Sequence, residues 1–270
     1  MEQTFDAKAL KERFNPEGSL LRRQQNRMTE MLVFIDGVCR KHNIKYWLCS
    51  GTLLGCIRHG GYIPWDDDLD IEMLREDYLK LLKVLPSELP DNYALQTNET
   101  DPGYFFTYAK LRDKRSTLSE VNHYDRIFRY KGIYIDIFPL EKNPIFLHWV
   151  SCRLHGFTYN VMNNPRNSDE QAFKKVRRIY RFCDKFAFPI LRALSRLWPS
   201  HILHYSFGIP YSDTRYPEDI FPLTIAKFEG YDMPVPHDSH MCLKRKFGDY
   251  MRLPNIDELH LHVADMTIED

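Results

Sequence analysis

The sequence predicts an α+β fold: a mixed β-sheet with flanking helices and a helical insertion. Three observations carry this expectation. The hydrophobic periodicity changes between helical and alternating in the order helix, strand, helix, strand, helix, and then strands. Hydrophobic residues make up 43% of the 270 positions, enough to bury the core of one large domain. Residues 144–205 carry helical patterns and no strand signal. A single domain over 1–270 is therefore expected, with a catalytic core at about 20–140, a basic helical insertion at about 144–205 and a C-terminal part at about 221–270 that completes it.

The elements follow in chain order. Leu21, Met28, Met31, Leu32, Ile35, Val38 and Cys39 recur at helical spacing, which predicts an amphipathic helix from about 20 to 42. Lys45 to Cys49 reads as a short buried strand. Ser50-Gly51-Thr52 then turns the chain into a helix from about Leu53 to His59, stopped by Gly60-Gly61. An acidic strand follows at Asp68 to Met73. Glu76 to Leu85 is helical, with Tyr78, Leu81, Leu82 and Leu85 on its apolar side and Pro86 as its terminator. Extended stretches are expected at Tyr93 to Thr97, Phe105 to Arg112 and Gly132 to Phe138. The last part offers Thr224 to Phe228 and Met233 to Pro236 as extended pieces and a helix around Ser239 to Phe247, with no internal repeat or low-complexity linker.

Charge narrows the function classes. Lys plus Arg equals Asp plus Glu at 37 each, so no global basic field points to nucleic acid. The distribution is uneven: Ile145 to Tyr205 holds ten basic and three acidic residues, a segment of +7 that leaves −7 elsewhere. Within it Phe182, Phe186, Ile190, Ala193, Leu194 and Leu197 form an approximate apolar stripe among Lys185, Arg192 and Arg196, divided at Pro189. Two readings stay open here, a helix packed on the core or a peripheral contact with the membrane face or an anionic lipid-linked acceptor. The six cysteines show no CxxC spacing and read as reduced and mostly buried. Met1 to Phe14 is charged and lacks an apolar h-region, and no run approaches a membrane span, so the expected location is cytoplasmic, or peripheral on the inner face of the cytoplasmic membrane.

The chemistry concentrates at Asp66, Asp67, Asp68 and Asp70. On an extended chain Asp66, Asp68 and Asp70 tend to one face while Leu69, Ile71 and Met73 take the other. Neighbouring carboxylates on that face stand about 6.6 Å apart and repel by roughly 2.5 kcal/mol at an effective dielectric of 20. A divalent cation removes the conflict, and hard oxygen ligands with room for water and phosphate suit magnesium or manganese. A solvated acidic loop is the plainer alternative, disfavoured by the apolar residues on both sides. Ser50, Gly51 and Thr52 lie at a strand-to-helix junction, where free N–H groups and the helix dipole favour an anion, although an ordinary N-cap would look the same. Asp136 interrupts the apolar run Ile133 to Phe138; it is either a compensated core acid or a third carboxylate for the cation or an attacking hydroxyl. Lys110 and Arg112 share a strand face suited to phosphate oxygens or to solvent, and Arg58-His59 has the same ambiguity. The eleven histidines form no zinc pattern, and His260 and His262 stay unassigned.

These residues resemble a known family. Gly51 to Met73 (GTLLGCIRHGGYIPWDDDLDIEM) is similar to the signature of the LicD-type phosphotransferases, relatives of fukutin and fukutin-related protein. LRRQQNRM and NIKYWLCS precede it, and AKLRDKRST, GIYIDIFPL and FEGYDMPVPHDSHMCLKRKFGDYM follow in the family's order, so the resemblance runs nearly end to end. It implies a nucleotidyltransferase-like core in which Gly51 and Thr52 match the glycine turn, Asp68 and Asp70 the paired metal-binding acids, and Asp136 the third. It also implies transfer of a phospho-alcohol such as phosphocholine or phosphoribitol from a CDP-activated donor to a glycan or lipid-linked glycan, with CMP leaving. The candidate site is thus Asp66, Asp68, Asp70 and Asp136 for catalysis, with Asp68, Asp70 and Asp136 on Mg2+ or Mn2+, and Ser50, Gly51, Thr52, Arg58, His59, Lys110 and Arg112 for the donor. A glycosyltransferase or nucleotidyltransferase remains the enzymatic alternative, and a non-catalytic nucleotide- or glycan-binding protein the other. Choline would call for an aromatic cage, for which Trp65, Tyr104 and Tyr108 are the nearest candidates in sequence.

Overall fold

A computed structural model describes residues 7–255 and 263–269. His260 and His262 lie outside the described residues. The α+β architecture is present, arranged around a mixed sheet in the order β1-β2-β6-β4-β3, with β7 added to β6. Its strands are β1 (Trp47–Leu48), β2 (Asp70–Leu74), β3 (Tyr93–Gln96), β4 (Ala109–Asp113), β6 (Tyr134–Lys142) and β7 (Leu203–Tyr205). Among the described strands of this sheet β2 and β6 run parallel and the other pairs are antiparallel.

The two faces of this sheet differ chemically, as the alternation in β2 and β6 dictates. On one face Ile71, Met73, Ile135, Ile137 and Leu111 join a single apolar core with Met28, Met31, Leu32 and Ile35 of α2 (Leu20–Lys41) and Leu81 and Leu85 of α4 (Arg75–Glu88). The other face carries Asp70, Glu72, Asp136 and Lys110, and it floors the candidate site. Glu72, 1% exposed, is neutralised by a bidentate pair with Arg215 at 2.8 and 3.2 Å and accepts a hydrogen bond from Trp47 Nε1.

β6 organises the sheet. Its N-terminal half pairs with β4 through Ile137, and its C-terminal half pairs with β7 from Leu140 onward, along the same edge. Pro139 stands at the changeover, where its missing N–H breaks no ladder bond. Between β6 and β7 the chain leaves the sheet as α5 (Ile145–Met162), α6 (Asp169–Phe182), a π-helical turn (Cys183–Ala187) and α7 (Phe188–Ser195). α6 begins with a capping box in which Ser168 and Gln171 satisfy each other's backbone. The π turn precedes Pro189, the second residue of α7. Proline cannot donate to the carbonyl of Lys185, and the wider turn lets Phe188 donate to Cys183 instead.

Several elements differ from the sequence expectation. The stretch 144–205 contains strand β7, three residues too short to show an alternating pattern. α1 (Ala7–Phe14) and the pair β5 (Ser116–Glu120) with β10 (Val263–Ile268) carried no clear periodic signal. α3 begins at Ser50 rather than Leu53, α4 continues past Pro86 to Glu88, and only Ala109 onward of the expected strand Phe105 to Arg112 enters the ladder. Tyr104 and Phe105 instead fill an aromatic cluster against Met162, Ala172 and Val176 of α5 and α6. The C-terminal part holds α8 (Pro217–Ile220), the hairpin β8 (Thr224–Phe228) and β9 (Tyr231–Val235), and α9 (Ser239–Phe247). All six cysteines are free.

Candidate functional site

Strand pairing sets the site's central row. Asp70 of β2 is the register partner of Asp136 in β6, and Asp136 is the partner of Lys110 in β4. Three charged side chains thus stand abreast on one face across adjacent strands. They floor a cavity of about 710 Å³ whose lining also includes Ser50, Gly51, Asp66 and Asp68. The segment before β2 brings in Asp66 and Asp68, and two buried glutamines of α2 hold its backbone: Gln24 Nε2 donates to Asp67 O at 2.7 Å and Gln25 Nε2 to Asp66 O at 2.9 Å.

The junction of β1 with α3 faces these acids. Ser50 adopts φ 49°, a left-handed conformation uncommon for a residue with a side chain. Leu53 N–H makes the first intrahelical bond, to Cys49 O, so the N–H groups of Ser50, Gly51 and Thr52 precede the ladder at the positive end of the helix. A Cβ on Gly51 would stand 2.9 Å from Asp66 Oδ2. A side chain at 51 would therefore displace the Asp66 carboxylate, which approaches the bare backbone of Gly51. Thr52 is buried and outside the cavity lining; its Oγ1 accepts the Asp70 N–H at 2.8 Å, which ties the start of β2 to the start of α3.

The carboxylates are in electrostatic conflict. Burial, and then the charges of Asp68 and Asp70, push Asp66 well above the carboxylate range; burial, Asp68 and Asp136 do the same to Asp70. Asp136 is pushed up to about 6 by burial, against the opposing pull of Lys110. Lys110 Nζ stands 2.8 Å from Asp136 Oδ1, yet off the axis of a directed hydrogen bond, so the oxygen has a countercharge and no well-aligned donor. Lys110 also sits 3.4 Å from the centre of the Tyr134 ring, a cation–π contact that fixes its position.

Among the described residues no three His, Cys, Asp or Glu side chains converge closely enough to hold a metal ion by themselves. The donor set nevertheless fits a hard divalent cation, because magnesium is ordinarily held by one or two carboxylates with water and substrate phosphates completing its shell. Asp68 and Asp70, with open space before them, are the residues that would hold it, while Asp136, expected as a third ligand, does not converge with them on one ion position and is paired with Lys110.

The remaining sequence candidates fall elsewhere. Arg112 is fully buried and outside the cavity lining, its guanidinium bonded to Gln96 Oε1 at 2.7 Å and Gly132 O at 2.8 Å and paired with Glu120. It shares Lys110's face, as the strand period requires, but its donors are consumed. Arg58 and His59 lie at the far end of α3, roughly 10 Å along the axis from Gly51. Arg58 donates to His59 Nε2 and Tyr250 O, and burial with the Arg58 charge holds His59 down to about 4. Of the aromatic candidates only Tyr108 lines the cavity; Trp65 packs against Phe14 and His59, and Tyr104 is in the α5–α6 cluster.

Other residues complete the walls. Lys246 of α9 lines the cavity, ion-pairs with Asp213 and favours the ionised form of Asp70. Tyr134, Tyr159, Tyr205 and Tyr211 add aromatic surface. The basic run Lys244-Arg245-Lys246 was the available signal for the first, whereas the tyrosines are scattered through four separate segments.

Residues 43–192 match the profile of the family described as LicD/FKTN/FKRP, nucleotidyltransferase domain. The chain is similar to the lipopolysaccharide cholinephosphotransferase LicD of Haemophilus influenzae, 29% identical over 260 residues that cover 90% of this chain and 95% of the other. It is also similar to the human ribitol 5-phosphate transferase FKRP, 42% identical over 50 residues, 18% of this chain and 10% of the other. Mannosyltransferase regulator 4 of Saccharomyces cerevisiae is 26% identical over 156 residues, 55% of this chain and 13% of the other.

Proposed function

From the premise that this chain belongs to the LicD/FKTN/FKRP nucleotidyltransferase family, we propose that it transfers a phospho-alcohol from a CDP-activated donor to a hydroxyl of a cell-surface glycan or glycolipid. The observation that carries the reading is the row Asp70–Asp136–Lys110 facing the Gly51 junction across one cavity.

Each residue has a role in this reaction. The N–H groups of Ser50 and Gly51, at the positive end of α3, take donor phosphate oxygens, and the absence of a side chain at Gly51 lets them approach. Asp68 and Asp70 would hold Mg2+ or Mn2+, which would supply neutralisation of the phosphate charge. Asp136, pushed up to about 6, has the basicity to accept the proton of the acceptor hydroxyl near neutral pH. That oxygen attacks the distal phosphorus; a new O–P bond forms, the bond to the bridging oxygen breaks, and CMP leaves with the electron pair. Lys110 keeps Asp136 ionised and Lys246 offsets charge on the opposite wall.

Choline is favoured as the alcohol because Tyr108, Tyr159 and Tyr211 line the same cavity, and aromatic rings are the side chains that attract a quaternary ammonium. The acceptor would be met at the inner face of the cytoplasmic membrane. The test is CMP release by the purified protein from CDP-choline, CDP-ethanolamine, CDP-ribitol and CDP-glycerol with Mg2+, each with a matching thermal-shift measurement. CDP-choline at a hundredfold excess over its dissociation constant should stabilise the protein by about 2.7 kcal/mol. Absence of both CMP and a shift with every CDP-alcohol refutes the reading, and release of UDP from a UDP-sugar would assign a glycosyltransferase instead.

A further inference from the structure

We infer that the outer face of the helical insertion is a docking surface for an anionic lipid bilayer. Of the twenty large apolar side chains exposed among the described residues, eleven fall between Ile145 and Trp198, a fifth of the chain. Such concentration marks an interaction surface, because singly scattered apolar residues are normal and a clustered set is not.

The residues form one continuous face. On α5, Phe146, Trp149, Val150 and Phe157 repeat at helical spacing, while His148, Ser151, His155 and Thr158 on the opposite side are buried. Through the end of α6, the π turn and α7, Phe182, Phe186 and Ile190 are exposed at intervals of four, the spacing that keeps side chains on one side of a helix. Phe146 meets Trp198 edge to face with ring centres 5.7 Å apart, which joins the start of α5 to the segment after α7. Exposures of 60% for Trp149 and 51% for Trp198 are unusual for the side chain best suited to a membrane–water interface.

Charge selects a bilayer over another apolar partner. Arg153, Arg178 and Arg196 are exposed beside these residues, and no ion pair forms with them among the described residues. Between α5 and α6 a cavity of about 640 Å³ is lined by Leu154, Phe157, Val161, Ile179 and Phe182 together with Lys175 and Arg178. An apolar groove with cations in its lining matches an acyl chain under an anionic headgroup. Arg177, Arg181 and Lys185 line a further cavity of about 490 Å³ that shares Phe106 and Tyr108 with the carboxylate cavity, so a docked face stands beside the chemistry. The inference does not rest on the phosphotransfer reading, since binding needs no turnover.

Flotation of the full chain with phosphatidylglycerol–phosphatidylcholine vesicles tests it. Binding at low salt that weakens at high salt, and is absent with pure phosphatidylcholine, is the expected result. Arg153→Gln, Arg178→Gln and Arg196→Gln together should weaken partition about a hundredfold, at roughly fivefold for each lost charge near an anionic surface. Trp149→Ala with Trp198→Ala should remove the binding that survives in salt. No flotation at low salt overturns the inference, as does equal flotation on neutral vesicles. A stable dimer that shields Trp149 and Trp198 from a fluorescence quencher also overturns it, by assigning the face to a second copy.

Discussion

Replacing Gly51 with alanine separates the site from the fold. The added Cβ would stand 2.9 Å from Asp66 Oδ2, where ordinary contact begins at 3.4 Å, so the carboxylate must retreat by about half an ångström. Asp66 can do this by rotating a short side chain, and Gly51 has no left-handed backbone that alanine would strain. Alanine is also the better helix former by about 0.5–1 kcal/mol, so the melting temperature should stay level or rise by about 2 °C. Activity should move the other way. A 1 Å misplacement in an active site costs about a hundredfold, which makes half that displacement worth roughly tenfold in kcat/KM for CMP release. With Asp66→Ala as background the crowding disappears, and the same Gly51→Ala change should cost much less. A kcat/KM within twofold of the parent, with Asp66 intact, would refute the placement of Gly51 opposite the reacting phosphate. A large fall in melting temperature would refute the separation of site from fold.

Asp68→Asn and Asp70→Asn should each abolish transfer and raise the metal-free melting temperature, since each relieves carboxylate repulsion; near-normal turnover in Mg2+ would sink the assignment. Asp136→Asn should lower kcat more than it weakens nucleotide binding and should show no recovery at any pH, whereas Lys110→Met should move the acid limb of the pH–rate profile upward, toward partial recovery in alkali. Because folding raises the affinity of Asp66, Asp70 and Asp136 for protons, metal-free stability should be greatest below the ordinary carboxylate pKa near 4 and should decline as pH rises through about 6; denaturant midpoints from pH 4 to 7.5 check the sign. Arg215→Met would leave Glu72 buried without its countercharge, at a cost of about 3–5 kcal/mol measurable by urea unfolding, while the added change Glu72→Gln should restore much of the loss.

The parts of this fold that were legible in the sequence are those where one physical demand dominates. Alternation in Asp68 to Met73 separated the acids from Leu69, Ile71 and Met73 because a half-buried strand has two unlike faces. Asp136 was visible as a charge inside an apolar run. What the sequence could not convey was which strands adjoin: Asp70, Asp136 and Lys110 become neighbours only through pairings that span 66 residues of chain in one case and 26 in the other. Arg112 shows the limit most clearly, since periodicity gave its face correctly and could not reveal Gln96 and Gly132 waiting to consume its donors. Gln24 and Gln25 were detectable in principle, as amides on the buried side of an apolar helix, but their partners are backbone atoms that no side-chain pattern encodes.

The pairing of Glu141 with His204 and Lys142 with Leu203 means that the helical excursion leaves and rejoins the sheet through adjacent, hydrogen-bonded residues. Its two ends are therefore fixed about one strand spacing apart, near 4.8 Å, whatever lies between them. Closing such a loop becomes only slowly more costly as it lengthens. The segment can thus be exchanged, extended or resurfaced in evolution while the carboxylate row stays in register. A change of acceptor or of cellular surface would then be written in this segment, and a change of reaction in the strands beneath it.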